Sequence, residues 1–232
     1  MIFVGEELCR ALFSEPASDS PTPDAQRPPA LRVPRCAAFV GGGGKTTAIE
    51  RLARELTAGG HSAAITTTTR MYWPSDPGLR RLYAGLDAEE PGKMKGLPEQ
   101  RRRALLKTHD CVLVEADGAK GRPLKFPRDF EPQIPPEAEL VVLTAGLDGV
   151  GAALRDAVHC PELAGAYLGV PPDHAVTPAD AAALLRVYEK KAAAQAPGAR
   201  LVVLLNKLDG GKRRDAAVAL AGELRGMRVF AL

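Results

Sequence analysis

The chain has little excess charge of either sign. Its 232 residues carry 31 Lys and Arg against 28 Asp and Glu, a net charge of +3. That is too small to argue for a nucleic-acid partner. The densest basic cluster, Arg101-Arg102-Arg103 with Lys107, reads as a solvated helix face. No apolar run approaches the length of a membrane span, so no membrane partner is expected. The segment Met1-Ile2-Phe3-Val4-Gly5-Glu6-Glu7 lacks the basic region and small-residue cleavage site of a signal peptide. Cysteine is sparse and scattered: Cys9, Cys36, Cys111 and Cys160 form no C-x-x-C pair for zinc or redox work. We expect a reduced, cytoplasmic protein whose cysteines act as small buried hydrophobes. A persulfide or selenide role for one of them stays open.

What the chain does have is glycine in one place. "CAAFVGGGGKTTAIERLARE" sets Gly41, Gly42, Gly43 and Gly44 between a short apolar run and a helical pattern. Ala37–Val40 is a buried-strand pattern, and Ile49, Leu52, Ala53 and Leu56 recur at helical spacing. Strand, glycine loop, Lys45-Thr46-Thr47 and helix make the layout of a P-loop. Glycines let backbone N–H groups curl around phosphate oxygens, and the helix start adds unpaired donors and a positive dipole end. In this reading Lys45 reaches the β- and γ-phosphates, Thr46 offers its hydroxyl to Mg²⁺, and Thr47 touches the α-phosphate. Phe39 stands where G-x-x-x-x-G-K-[ST] has its first glycine. The stretch is closer to the deviant G-G-x-G-K-[ST] loop of the ParA/MinD-like branch. Val40 replaces the lysine with which that branch reaches a partner subunit's nucleotide.

Residues 6–13 fit a short amphipathic helix, with Leu8, Cys9, Leu12 and Phe13 on one side. Residues 14–35 are rich in Pro, Ser and Asp and read as a tether. Residues 36–232 then form the nucleotide-binding domain, with strands expected at 36–40, 62–67, 111–115, 140–145, 200–205 and 227–232. Helical patterns between most of them predict a mainly parallel sheet inside an α/β three-layer sandwich of the P-loop NTPase kind. Thr177-Pro178-Ala179-Asp180 predicts a capped helix running to about residue 194.

Three further stretches carry chemistry. In "AAITTTTR", Thr66 to Thr69 and Arg70 end a strand, where they suit either plain strand chemistry or a loop facing Mg²⁺ and phosphate. The lone Trp73 follows, as a pocket wall or as core. In "CVLVEADGAKG" an apolar strand ends in Glu115 and Asp117, and either can hold the water shell of a nucleotide-bound Mg²⁺. Gly118 lets the chain turn there, and Lys120, Arg122 and Lys125 follow in a proline-rich loop. In "LVVLLNKLDGG", Asn206-Lys207-Leu208-Asp209 matches the N-K-x-D pattern that reads guanine. An Asp carboxylate accepts from guanine N1–H and N2–H₂, which adenine does not offer. Asp209 as a cap of the following helix is the competing reading, and GTP is slightly favoured over ATP.

Taken together, "VGGGGKTT", "ITTTTR", "VEADGAKGRPLKFP", "FEPQIP" and "LTAGLDGVG" resemble the YqeC family, accessory proteins for selenium-dependent molybdenum hydroxylases. The resemblance runs from about residue 36 onward. It implies a nucleotide-driven step in maturing a selenium or molybdenum cofactor, with a molybdenum hydroxylase or a cofactor intermediate as partner. It also implies Lys45 and Thr46 at the nucleotide, and Asp117, Lys120 and Lys125 around the reacting end. "VHCPE" places Cys160 where the resemblance leads one to expect a basic residue, leaving Arg155 and His159 as the weaker candidates for an anion there.

The chemistry favoured by these residues is metal-assisted NTP hydrolysis, with Lys45 and Lys120 or Lys125 offsetting phosphate charge. No general base stands out. A nucleotide-gated binding module and a phosphoryl or nucleotidyl transferase remain as alternatives.

Overall fold

The computed structural model describes residues 2–3, 7–14 and 32–232. The chain opens with β1 (Ile2–Phe3), α1 (Leu8–Phe13), β2 (Cys36–Gly41), α2 (Lys45–Ala58) and β3 (Ala63–Thr67). A small antiparallel sheet follows, made of β4 (Arg70–Tyr72), β5 (Leu86–Asp87) and β6 (Lys93–Lys95). Next come α3 (Glu99–Thr108), β7 (Cys111–Glu115), β8 (Leu124–Lys125) and β9 (Leu140–Gly146). The rest is α4 (Leu154–Ala157), β10 (Val158–His159), α5 (Pro161–Leu168), α6 (Pro178–Gln195), β11 (Arg200–Asn206), α7 (Gly211–Glu223) and β12 (Arg228–Ala231).

The main sheet has seven strands in the order β1-β12-β11-β9-β2-β7-β3, and every pairing in it is parallel. Each strand expected from the sequence is present. Their near-continuous apolar runs suit a sheet covered on both faces. Alternate residues point opposite ways: Cys36, Ala38 and Val40 of β2 join one core with Val112, Val114, Val141 and Leu143. Ala37 and Phe39 join the other with Leu113, Val142 and the α2 residues Ile49, Leu52 and Leu56. Fully burying each large side chain contributes about 1.5–3 kcal/mol, so the doubly covered sheet is the main source of stability.

The short helix expected near the N-terminus is α1, and Leu8, Cys9, Leu12 and Phe13 are all buried in the second core. The expected tether falls almost wholly on residues 15–31, outside the described residues. The 178–195 helix starts as its sequence requires: Thr177 Oγ1 accepts from Asp180 N–H at 3.1 Å, and Asp180 Oδ2 accepts from Thr177 N–H at 2.9 Å. No helix among the described residues is long and apolar enough to cross a membrane.

Placing β2 between β7 and β9 matters for function. It brings the glycine loop, the Glu115–Asp117 segment and the Thr144–Gly146 strand end to one edge of the sheet. Ligands of open parallel sheets bind at such an edge, beyond the carboxyl ends of the strands.

Candidate functional site

The four glycines are packed tightly. A Cβ on Gly42 would lie 2.1 Å from Pro123 O and 2.7 Å from Leu124 Cα. At Gly44, φ is +91° and a Cβ would meet Asn206 Nδ2 at 2.4 Å. Close backbone approach and a left-handed turn thus account for glycine at these positions. The loop is also bonded on several sides. Gly42 N–H donates to Thr144 O at 2.9 Å, and Asn206 Nδ2 donates to Gly43 O at 2.9 Å. The buried Thr144 hydroxyl lies 2.8 Å from Gly42 O and 3.0 Å from Val40 O. Asn206, expected at a base, braces the loop.

At the loop's end α2 begins at Lys45 with no side-chain cap, and its first helical bond is Ala48 N–H to Gly44 O at 2.9 Å. The N–H groups of Lys45, Thr46 and Thr47 therefore form an open helix start. Lys45 is buried, 5% exposed, and its ammonium donates to Gly41 O at 2.7 Å. Burial pulls its pKa down, against the opposing pull of the Glu115 and Asp117 charges. Thr46 Oγ1 donates to Glu115 Oε2 at 2.8 Å. Burial pushes the Glu115 pKa up, while Lys45 and the Thr46 hydroxyl hold it back.

The two carboxylates differ in their surroundings. Glu115 stands against Thr46, whereas Asp117 is fully buried in a network of its own. Asp117 accepts from Gly41 N–H at 3.2 Å, from the Tyr188 hydroxyl at 2.5 Å and from the Lys125 ammonium. Lys125, also fully buried, bonds Gly118 O at 2.6 Å and pairs with Glu131 at 2.9 Å. Its strand, β8, is fixed by parallel pairing with β10. Lys120 is exposed at a turn with φ +48°, just before this strand. Between them Pro123 O accepts from both Gly43 N–H and Gly146 N–H at 2.8 Å. In this conformation the basic loop lies directly on the glycine loop.

A Mg²⁺ that arrives with a nucleotide fits the donor set at Thr46 and Glu115. One hydroxyl and one carboxylate suit an ion that keeps several waters and takes phosphate oxygens. Among the described residues no group of three or more His, Cys, Asp or Glu is placed to hold a metal by itself.

Lys207 has φ +65° and its ammonium pairs with Asp148 Oδ2 at 2.6 Å. The Asp209 side chain is 90% exposed, with Arg213 3.4 Å away, and α7 has no side-chain cap. The threonine run acts as a set of staples. Thr66, Thr67 and Thr68 donate their hydroxyls to the carbonyls of Ala84, Glu115 and Gln133, each at 2.7 Å. Trp73 packs with the small sheet, its Nε1 donating to Asp87 at 3.0 Å, with Arg80 stacked on its ring. Cys160 is buried at φ +65°, and burial raises the pKa of its thiol.

Sequence reasoning missed Tyr188, Thr144 and Pro123. The helical spacing of Leu184, Leu185 and Tyr188 marks Tyr188 as core, but nothing local points its hydroxyl at Asp117. Glu131 sits inside "FEPQIP", a stretch noted only for its resemblance.

A parallel sheet whose central strand runs into a glycine loop and a Lys-Thr helix start, with a carboxylate on the next strand, defines the P-loop NTPase-like class of folds. Within it, a protein-family profile described as "YqeC protein" matches residues 37–162. The chain is also 32% identical over 179 residues to a protein of Escherichia coli (strain K12) described as "Uncharacterized protein YqeC", covering 68% of this chain and 70% of that one. The chain belongs to the YqeC family.

Proposed function

We propose that the protein binds a nucleoside triphosphate with Mg²⁺ at the glycine loop and hydrolyses it. The observation that carries this reading is the buried Lys45 at an uncapped helix start, beside a Thr46–Glu115 contact of 2.8 Å. Few roles other than an anion partner account for a lysine desolvated there. Lys45 and the open N–H groups bind the phosphates, and Glu115 with Thr46 holds the ion. A bound Mg²⁺ would supply charge neutralisation between the phosphates. Among the described residues no obvious general base stands at the glycine loop, so turnover by the protein alone is slow.

On its motif resemblance, the reaction serves maturation of a selenium or molybdenum cofactor, with a molybdenum hydroxylase or a cofactor intermediate as partner. GTP is favoured because Asn206 ties the N-K-x-D segment to the glycine loop, which would bring Lys207 and Asp209 within reach of a bound base.

Calorimetry with Mg²⁺ tests the proposal. Lys45→Ala should keep the fold and lose most triphosphate affinity, because a charge-assisted contact inside a ring of donors is removed. Unchanged affinity would remove the proposal.

One observation favours a gated version of the same reading. Pro123 O occupies the Gly43 N–H, so a phosphate that claims that donor displaces the basic loop. Hydrogen exchange over residues 115–127 should then respond more strongly to a non-hydrolysable triphosphate than to a diphosphate. Equal responses would leave hydrolysis without gating.

A further inference from the structure

A cleft of about 500 Å³ opens on the far side of the Glu115 strand end, within the usual range for small-molecule sites. Its polar lining includes Arg102, Lys95 and Thr69, and no carboxylate lines it. Leu97, Ile134 and Pro135 supply an apolar wall.

Arg102 is the residue that needs explaining. The sequence places it on a solvated helix face, yet its side chain is only 12% exposed. Its one side-chain partner among the described residues is Glu137 Oε2, at 3.4 Å. The other oxygen of Glu137 takes Arg103. A guanidinium has five N–H donors in a rigid fork, and those of Arg102 that do not meet Glu137 stay open to solvent at the cleft wall. A planar fork held in the wall of a cleft that no carboxylate lines is matched to a carboxylate or phosphate that enters it.

We infer that this cleft binds a small organic anion, with a carboxylate or phosphate head on Arg102 and Lys95 and an apolar body against Leu97, Ile134 and Pro135. The site is coupled to the glycine-loop region by backbone. Thr68 N–H donates to Glu115 O at 3.1 Å, and Gln133 N–H donates to Ala116 O at 2.9 Å. An occupant is thus sensed two residues from the Asp117 network, as suits a second substrate or an effector. The inference does not depend on the nucleotide reading.

Ligand-observed saturation-transfer NMR on the full chain tests it, with phenyl phosphate, benzoate and neutral benzyl alcohol as probes. Wild type and Lys45→Ala should bind at least one of the two anions, and whichever binds names the head group. Benzyl alcohol should bind neither protein measurably. Arg102→Gln should weaken anion binding roughly tenfold or more. Should that variant fail to fold, Lys95→Gln at the exposed rim decides, with a loss of about threefold expected. Equal binding of the neutral probe would overturn the inference. So would anion binding that vanishes in Lys45→Ala, or that survives unchanged in both cleft variants.

Discussion

Lys125→Met should be among the most damaging single changes available in this chain. The side chains of Lys125 and Asp117 are both fully buried and in direct contact, and Glu131 pairs with the same ammonium at 2.9 Å. Methionine keeps most of the length of the side chain and removes its charge. Asp117 then retains the Tyr188 hydroxyl at 2.5 Å and the Gly41 N–H at 3.2 Å, but no cation. Gly118 O also loses its donor. Removing one member of a buried ion pair costs about 3–5 kcal/mol. For a chain of this size 1 kcal/mol shifts the melting temperature by about 2–4 °C, so a fall of roughly 6–20 °C is expected. Thermal melts followed by circular dichroism measure it. Adding Asp117→Asn and Glu131→Gln removes the stranded carboxylates and should recover a substantial part of the loss. A loss below about 1 kcal/mol, the worth of an exposed pair, would refute the reasoning. Because Asp117 also holds Gly41 N–H, the single variant should weaken nucleotide binding in parallel.

Gly42→Ala should disrupt the loop, since the new Cβ would lie 2.1 Å from Pro123 O and 2.7 Å from Leu124 Cα and force the basic loop off the glycine loop. A stability loss of about 1–3 kcal/mol together with lost triphosphate binding is expected, and a normal melt with normal calorimetry would contradict the packing argument. Asp209→Asn should erase a GTP preference of roughly tenfold over ATP in competition for one fluorescent analogue. An ATP preference in the wild type, or no effect of the substitution, would remove the guanine reading and leave the P-loop. The Glu131 carboxyl titrates below its usual value near 4.5: burial would raise it, but the Arg128 N–H and the Lys125 ammonium outweigh that. Its contribution to stability is therefore complete above about pH 4.5 and is lost as pH falls through the depressed value. Glu131→Gln should flatten the acid side of a stability-versus-pH curve, and a superimposable acid limb would show that Glu131 carries none of it.

The sheet was legible in the sequence because buried parallel strands are apolar on both faces, and Ala37–Val40, Cys111–Val114 and Leu201–Leu205 have few other readings. The 178–195 helix was legible because Thr177, Pro178 and Asp180 are local signals. What the pattern could not give is which polar groups meet across the fold. Asn206 matched a tetrapeptide that suggested a base contact, but its Nδ2 meets Gly43 O, a partner 163 positions away. The threonine run offered hydroxyls to a metal, yet the adjacent strand's carbonyl at Glu115 and the chain at Ala84 and Gln133 take them first. Arg102 looked solvated because its neighbours are charged. Its partner Glu137 and the cleft wall it shares with residues 133–136 come from a segment far along the chain.

The bracing of the glycine loop sets an order of events during synthesis. Gly41 waits for Asp117, 76 positions on, Gly42 for Thr144, 102 positions on, and Gly43 for Asn206, 163 positions on. At 5–20 residues per second the ribosome takes roughly 8–30 s to cover the last of these gaps. Through that interval β2 has emerged with two apolar faces and no complete set of neighbours, a species that chaperones must shelter or that aggregates. The glycine-loop end of the sheet is therefore among the last parts of the molecule to become rigid, although β2 is made before most of its neighbours. A nascent chain that stalls before Asn206 leaves the glycine loop without its last brace.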